Sequence, residues 1–158
     1  MIMTEIDEFD IYQQRLWQYI LDYHSYMIEE DEQETIEFVI SRSQRAYKAY
    51  VETAYDGGNG MACEHAAFEI LYAGLHFSPI TYLIEVGVDN YGYEMEKEEA
   101  LEVYRNPEVK EIFEKYGDDI EGDPKEHLLV EELVPYLKHL EGKENVPYSW
   151  QKPVTCEI

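Results

Sequence analysis

His65, Glu69, Tyr72 and His76 fall at spacings of four, three and four, so on a helix their side chains share one stripe. A carboxylate beside an imidazole can act as a general base, and His65 with Glu69 could donate two ligands to a metal ion. The plainer reading is a helix end that hydrogen-bonds its neighbours or faces solvent, because two ligands on one helix fall short of the set a zinc site uses. The other histidines, His24, His127 and His139, form no His-x-x-x-His pair with these or with each other. The residues three before the five histidines are Leu21, Ala62, Ala73, Pro124 and Tyr136, so the Glu-x-x-His ligand pairs of a carboxylate-bridged di-iron bundle are missing.

Other reactive patterns are absent too. There is no Gly-x-Ser-x-Gly elbow, P-loop or Gly-x-Gly-x-x-Gly, and the cluster Gly57-Gly58-Asn59-Gly60 lacks the preceding strand and following Lys-Ser/Thr that phosphate binding needs. With 35 Asp and Glu, no carboxylate pair for glycosidic chemistry stands out, since separation in space decides that matter. No catalytic motif is recognisable, which weighs against an enzyme. No catalytic, cofactor-binding or metal-binding residue is assigned, no cofactor is indicated, and the one functional cluster put forward is His65, Glu69, Tyr72 and His76.

Charge narrows the partners. The formal net charge is -23, and the imbalance runs through the whole chain: 12 acids and 4 bases in residues 1–55, 5 and none in 56–93, and 18 and 8 in 94–158. Duplex DNA, with about one negative charge per 1.7 Å, would be repelled, so direct nucleic-acid binding is disfavoured, as is adsorption to anionic lipid. The same field could draw in a basic protein, although charge that merely keeps a cytosolic protein soluble is the favoured reading of it. Tyr19, Tyr23, Tyr26, Tyr55, Tyr82 and Tyr93 are the tyrosines expected on outward faces, where a large ring with a polar tip suits a binding surface. Apolar stripes on the outer helices could serve a homodimer instead.

Cys63 and Cys156 make no CxxC pair, which fits a reducing compartment. The N-terminal residues have neither the basic start nor the apolar run of a signal peptide, and the longest uncharged run, Ile70 to Ile84, is short of the roughly 20 residues a bilayer needs. A cytoplasmic protein that does not enter membranes is expected.

The elements that must position these residues read as helices. Thr4-Glu5-Ile6-Asp7 looks like a start, and Phe9, Tyr12, Leu16, Trp17, Ile20, His24, Met27 and Ile28 then mark one long helix, ended by the acids from Glu29. Asp31 and Glu34 open a second, which runs to the glycines at 57–60. Met61 to Phe77, apolar nearly all round, reads as a central third helix whose Ala66, Ala67 and Gly74 permit close packing. Ser78-Pro79 starts a fourth that reaches about Tyr91, with Ile80, Leu83, Ile84, Gly87, Val88 and Tyr91 inward. More charged helices follow from Glu96 to Arg105 and from Pro107 to Tyr116, the latter between Asn106 and Gly117. Asp123-Pro124-Lys125-Glu126 opens a last helix carrying Leu128 to Leu140, where Pro135 imposes a bend or a division into two short helices. Residues from 142 read as an extended tail.

The stretch Ala73-Gly74-Leu75-His76-Phe77-Ser78-Pro79, with Tyr12-Gln13-Gln14-Arg15-Leu16 and His24-Ser25 in the helix before it, resembles a family of small helical bacterial proteins of no established activity, often encoded near conjugative elements. The likeness spans about Ile11 to Leu140, and Ile84 to Tyr91 departs from the Trp-Asn-Glu-Phe pattern associated with the family. It implies an all-helical fold and leaves the activity open.

The expected architecture is all-α: a single-domain irregular bundle of six or seven helices around a central pair at about 61–91. One domain over 4–141 would divide into an N-terminal layer, 4–91, and an acidic C-terminal layer, 94–141, with the tail at 142–158. The leading function is an acidic interaction or regulatory module for a basic partner, such as a DNA-binding protein whose nucleic-acid site it occupies. The alternative is a small enzyme or ligand binder using His65, Glu69 and His76 in a concave pocket.

Overall fold

The structure is a computed structural model and describes residues 9–143; the expected start at Thr4, Cys156 and the tail from 144 lie outside the described residues. Among the described residues there are eight α-helices, one 3-10 helix and no strand, so the fold is all-α. The chain forms two compact units that divide between His76 and Phe77.

In the first unit, α1 (Ile11–Tyr23) starts at Asp10, whose carboxylate accepts the Gln13 N–H at 2.8 Å while Gln13 accepts the Asp10 N–H in return. The single long helix expected here is two. At His24 the backbone leaves helical values (φ -137°, ψ 34°), and α2 (Ser25–Glu30) follows as a separate helix. The cause is a buried polar side chain. His24 is 1% exposed, its Nε2 donates to the Leu75 carbonyl oxygen at 2.8 Å, and its Nδ1 accepts from the Tyr26 hydroxyl at 2.9 Å.

α3 (Glu32–Tyr55) starts where the second Asp-x-x-Glu predicts, with Asp31 accepting the Glu34 N–H. It packs against α1, α2 and α4, so its inner residues Ile36 and Val39 meet Leu16, Ile20, Ala67 and Leu71 in one core. Gly57, at φ +91°, turns the chain into α4 (Gly60–Leu71), capped by Asn59 through the Ala62 N–H.

α4 departs from expectation at its end and in its burial. It stops at Leu71, six residues before Phe77, because the Arg42 guanidinium of α3 binds the carbonyls of Ile70 (3.1 Å), Leu71 (3.4 Å) and Ala73 (2.7 Å). The last carbonyls of a helix have no partner within it, and a cation placed there satisfies them and suits the helix dipole. Gly74 is not a close-packing position: it sits at φ +78° in open space, in a turn that other residues adopt reluctantly. Only Cys63, Ala67 and Leu71, four apart, are buried, and Met61 is 82% exposed.

In the second unit, α5 (Pro79–Tyr91) has the predicted bounds, with Ser78 Oγ accepting the Thr81 N–H and Gly92 closing it in the left-handed conformation. Its neighbours are α6 (Lys97–Tyr104) and the 3-10 helix (Val134–Leu140), so it groups with the C-terminal helices. The boundary between layers thus lies earlier than the rise in charge at Glu94 suggests, because charge density reports the solvent side and packing partners do not follow it. The helices expected to pair at 61–91 are divided between the units, α4 taking α3 as its main neighbour.

Tyr82, expected outside, is 4% exposed. Its ring meets Phe77 and Phe113, and its hydroxyl donates to Glu126 at 2.6 Å. α7 (Pro107–Tyr116) keeps the predicted bounds between Asn106 and Gly117. α8 (Glu126–Leu133) begins after Asp123 and Pro124, which instead form a turn in which Asp123 accepts the Lys125 N–H. Pro135 realises the two-helix alternative: the α-helix ends at Leu133 and the 3-10 helix continues, its tighter pitch keeping Leu137 and Leu140, three apart, in the core.

Candidate functional site

The four residues of the sequence-derived cluster do not form one stripe. His65 and Glu69 lie one turn apart on α4, Nε2 to Oε2 at 3.3 Å, with both side chains largely exposed (74% and 68%). Tyr72 lies just past the helix end and turns inward, its ring 4.8 Å from that of Tyr19. Burial pushes its hydroxyl pKa up. His76 is exposed and beyond the turn at Gly74, so the helical spacing that joined it to Glu69 does not apply. Among the described residues no group of three His, Cys, Asp or Glu is placed to hold a metal ion.

The stronger polar convergence in the first unit involves residues the cluster omitted. Leu75 O accepts from both His24 Nε2 and Tyr19 Oη, the latter at 3.0 Å, while Arg42 holds the carbonyls just before it. Phe38 lies under the Arg42 guanidinium at 4.6 Å. These groups bind the backbone of 70–75, so their role is to fix the turn that carries the Gly74-Leu75-His76 motif.

Of the tyrosines expected outside, Tyr55 (88%) and Tyr23 (44%) are exposed, while Tyr19, Tyr26 and Tyr93 are half-buried.

The second unit carries a groove of about 570 Å³ between α6 and the 3-10 helix, lined by Glu98, Glu99, Glu102, Asn106, Tyr136 and His139. Helical spacing places Glu98 and Glu102 on adjacent turns of one face. Glu99 accepts the Glu96 N–H at 2.9 Å and the Tyr93 hydroxyl at 3.1 Å; the backbone bond foremost, with the phenol adding to it, holds its carboxyl below the usual carboxylate range. On the other side of Tyr136 lies a second hollow of about 430 Å³ that includes Glu108, Glu111, Lys115 and Glu132. The Tyr136 hydroxyl donates to Glu108 at 3.0 Å, and that bond, ahead of desolvation, raises its pKa. Lys115 and the Tyr116 hydroxyl both bind Glu132. Tyr136 is therefore an aromatic wall with carboxylates on both sides. Sequence reading missed it because the groove joins residues more than thirty apart, and a single tyrosine among fifteen gives no signal.

A family model described as a domain of unknown function (DUF1896) matches residues 4–142. The chain belongs to the DUF1896 family. Its match takes in all the described helices. The protein PG0816 from Porphyromonas gingivalis, known from a crystal structure, is a similar solved structure: 28% identical, with a TM-score of 0.69, covering 87% of this chain and 93% of that one. No curated protein matches the chain. The likeness to PG0816 extends over most of this all-helical fold, the class that the Gly74 to Pro79 motif implied. No helix among the described residues is long and apolar enough to cross a membrane.

Proposed function

We propose that this DUF1896 protein is an interaction module that receives a basic segment of another protein in the groove of its second unit. The observation that carries the reading is the lining of that groove, which brings Glu98, Glu99 and Glu102 together with Tyr136. An arginine or lysine side chain laid on a tyrosine face between carboxylates gains both cation–π attraction and charge-assisted hydrogen bonds. The chain's net charge of -23 adds long-range attraction that speeds encounter with a cationic partner and disfavours an anionic one. A DNA-binding protein, with its own basic surface, is the partner class that fits.

The test is salt-graded affinity capture on the immobilised full chain from a host extract, followed by titration of the purified partner. A basic protein retained at low ionic strength, released by salt and bound at least about tenfold more weakly by the Glu98→Gln/Glu102→Gln variant is expected. No basic protein held at low salt, or equal binding by the variant, defeats the reading.

A further inference from the structure

A second cavity, in the first unit, has a different chemistry. It measures about 430 Å³, within the range of small-molecule sites, and is walled by Ile11, Tyr12, Tyr47 and Tyr50 with Arg15 and Glu64 on its lining. α1 brings Ile11, Tyr12 and Arg15, α3 brings Tyr47 and Tyr50, and α4 brings Glu64.

Two charges of opposite sign share this cavity without meeting. Arg15 lies over the Phe68 ring, 5.5 Å from its centroid, and among the described residues no carboxylate pairs with it. Glu64 likewise makes no ion pair or hydrogen bond among the described residues. Asp10, also on the lining, is already committed to the Gln13 N–H. Residues 1–76 hold 15 acids against 4 bases, so an arginine that meets no carboxylate among the described residues is unusual for its surroundings.

We propose that this cavity binds a small zwitterion with an apolar body, of the α-amino-acid class. The ligand carboxylate pairs with Arg15, its ammonium with Glu64, and its side chain lies against Tyr12, Tyr47, Tyr50 and Ile11. Charge selects the class by elimination. A simple cation would meet Arg15, a simple anion would meet Glu64 and Asp10, and a neutral apolar molecule would leave both charges unused. The Tyr12 hydroxyl, protonated at neutral pH as any phenol is, can donate within the site, and burial, the largest cause, raises its pKa further.

The experiment is calorimetric titration of the full chain with L-phenylalanine, phenethylamine, which lacks the carboxylate, and phenylpropionate, which lacks the ammonium. Phenylalanine is expected to bind at least about tenfold more tightly than either analogue. Arg15→Gln should erase its advantage over phenethylamine, and Glu64→Gln its advantage over phenylpropionate, while both variants melt as the parent does. Absence of heat with phenylalanine at millimolar concentration, or analogues that bind as well as it does, overturns the proposal whatever the variants do. The groove of the second unit plays no part in this titration, so failure here is distinct from failure there.

Discussion

His24 Nε2 donates a 2.8 Å hydrogen bond to the carbonyl oxygen of Leu75, fifty-one residues further along the chain. This contact links the break between α1 and α2 to the turn after α4, two irregularities that share one cause. Replacing His24 by Leu keeps the volume roughly constant and removes both ring bonds. A loss of about 1–3 kcal/mol is expected in urea unfolding. A variant as stable as the parent would show that the imidazole does not hold the turn.

Arg42 supplies the end of α4 from a different helix. Arg42→Met retains the aliphatic stem against Phe38 and deletes the bonds to Ile70, Leu71 and Ala73. Hydrogen bonds to charged groups contribute about 1.5–3 kcal/mol each, but these three share one half-exposed head group. A total loss of about 2 kcal/mol is expected, with faster amide exchange in residues 70–75 measured by hydrogen-exchange mass spectrometry.

Two glycines in helices should respond oppositely to alanine. A Cβ on Gly87 would sit 3.1 Å from Leu140 Cδ1 and 3.2 Å from the Tyr93 carbonyl oxygen. The leucine can shift, but the backbone oxygen cannot do so without disturbing the cap at Gly92. Overpacking of about 1–3 kcal/mol should outweigh the roughly 1 kcal/mol by which alanine is the better helix former. Gly60 opens α4 and a Cβ there meets nothing within 4 Å, so Gly60→Ala should stabilise by about 0.4–1 kcal/mol. Thermal denaturation of the two variants checks both signs.

Tyr82 makes stability fall in alkali. Burial, and then the bond to Glu126, raise its pKa well above the ordinary 10.0. In the unfolded chain the phenol ionises near that ordinary value, so above it the folded form binds the extra proton. Its contribution is complete below pH 10 and declines as pH rises towards the folded-state value. Urea midpoints measured from pH 8 to 11 should drop less steeply for Tyr82→Phe than for the parent; identical slopes would assign the alkaline sensitivity to other groups.

Where the signals for a boundary are neighbours in sequence, the sequence located it. Ser78-Pro79 and Gly92 bound α5, and Asn106-Pro107 and Gly117 bound α7, because capping and the positive φ of glycine are decided within a few residues. Where the deciding partner is remote, reading failed. His24 looks like another position of an amphipathic stripe until Leu75 is beside it, and α4 has no local stop signal before Gly74 because Arg42 provides the stop from twenty-eight residues away. Tyr82 turned inward for the same reason, Glu126 being there to accept its hydrogen bond. The candidate cluster was half legible: the i, i+4 relation of His65 and Glu69 held, while His76 depended on the helix continuing through a turn. The Arg15 and Glu64 cavity joins three helices, and no periodicity within any one of them could announce it.

The change of pitch at Pro135 makes the last helical segment sensitive to length more than to composition. In a three-fold helix each added residue rotates everything after it by about 120°. Inserting one alanine between Val134 and Leu137 would swing Leu137 and Leu140 away from the interior, although no side chain had been altered. Substitutions along 134–140 should therefore be borne far better than insertions, and natural relatives that vary freely in residue type there should keep its count fixed.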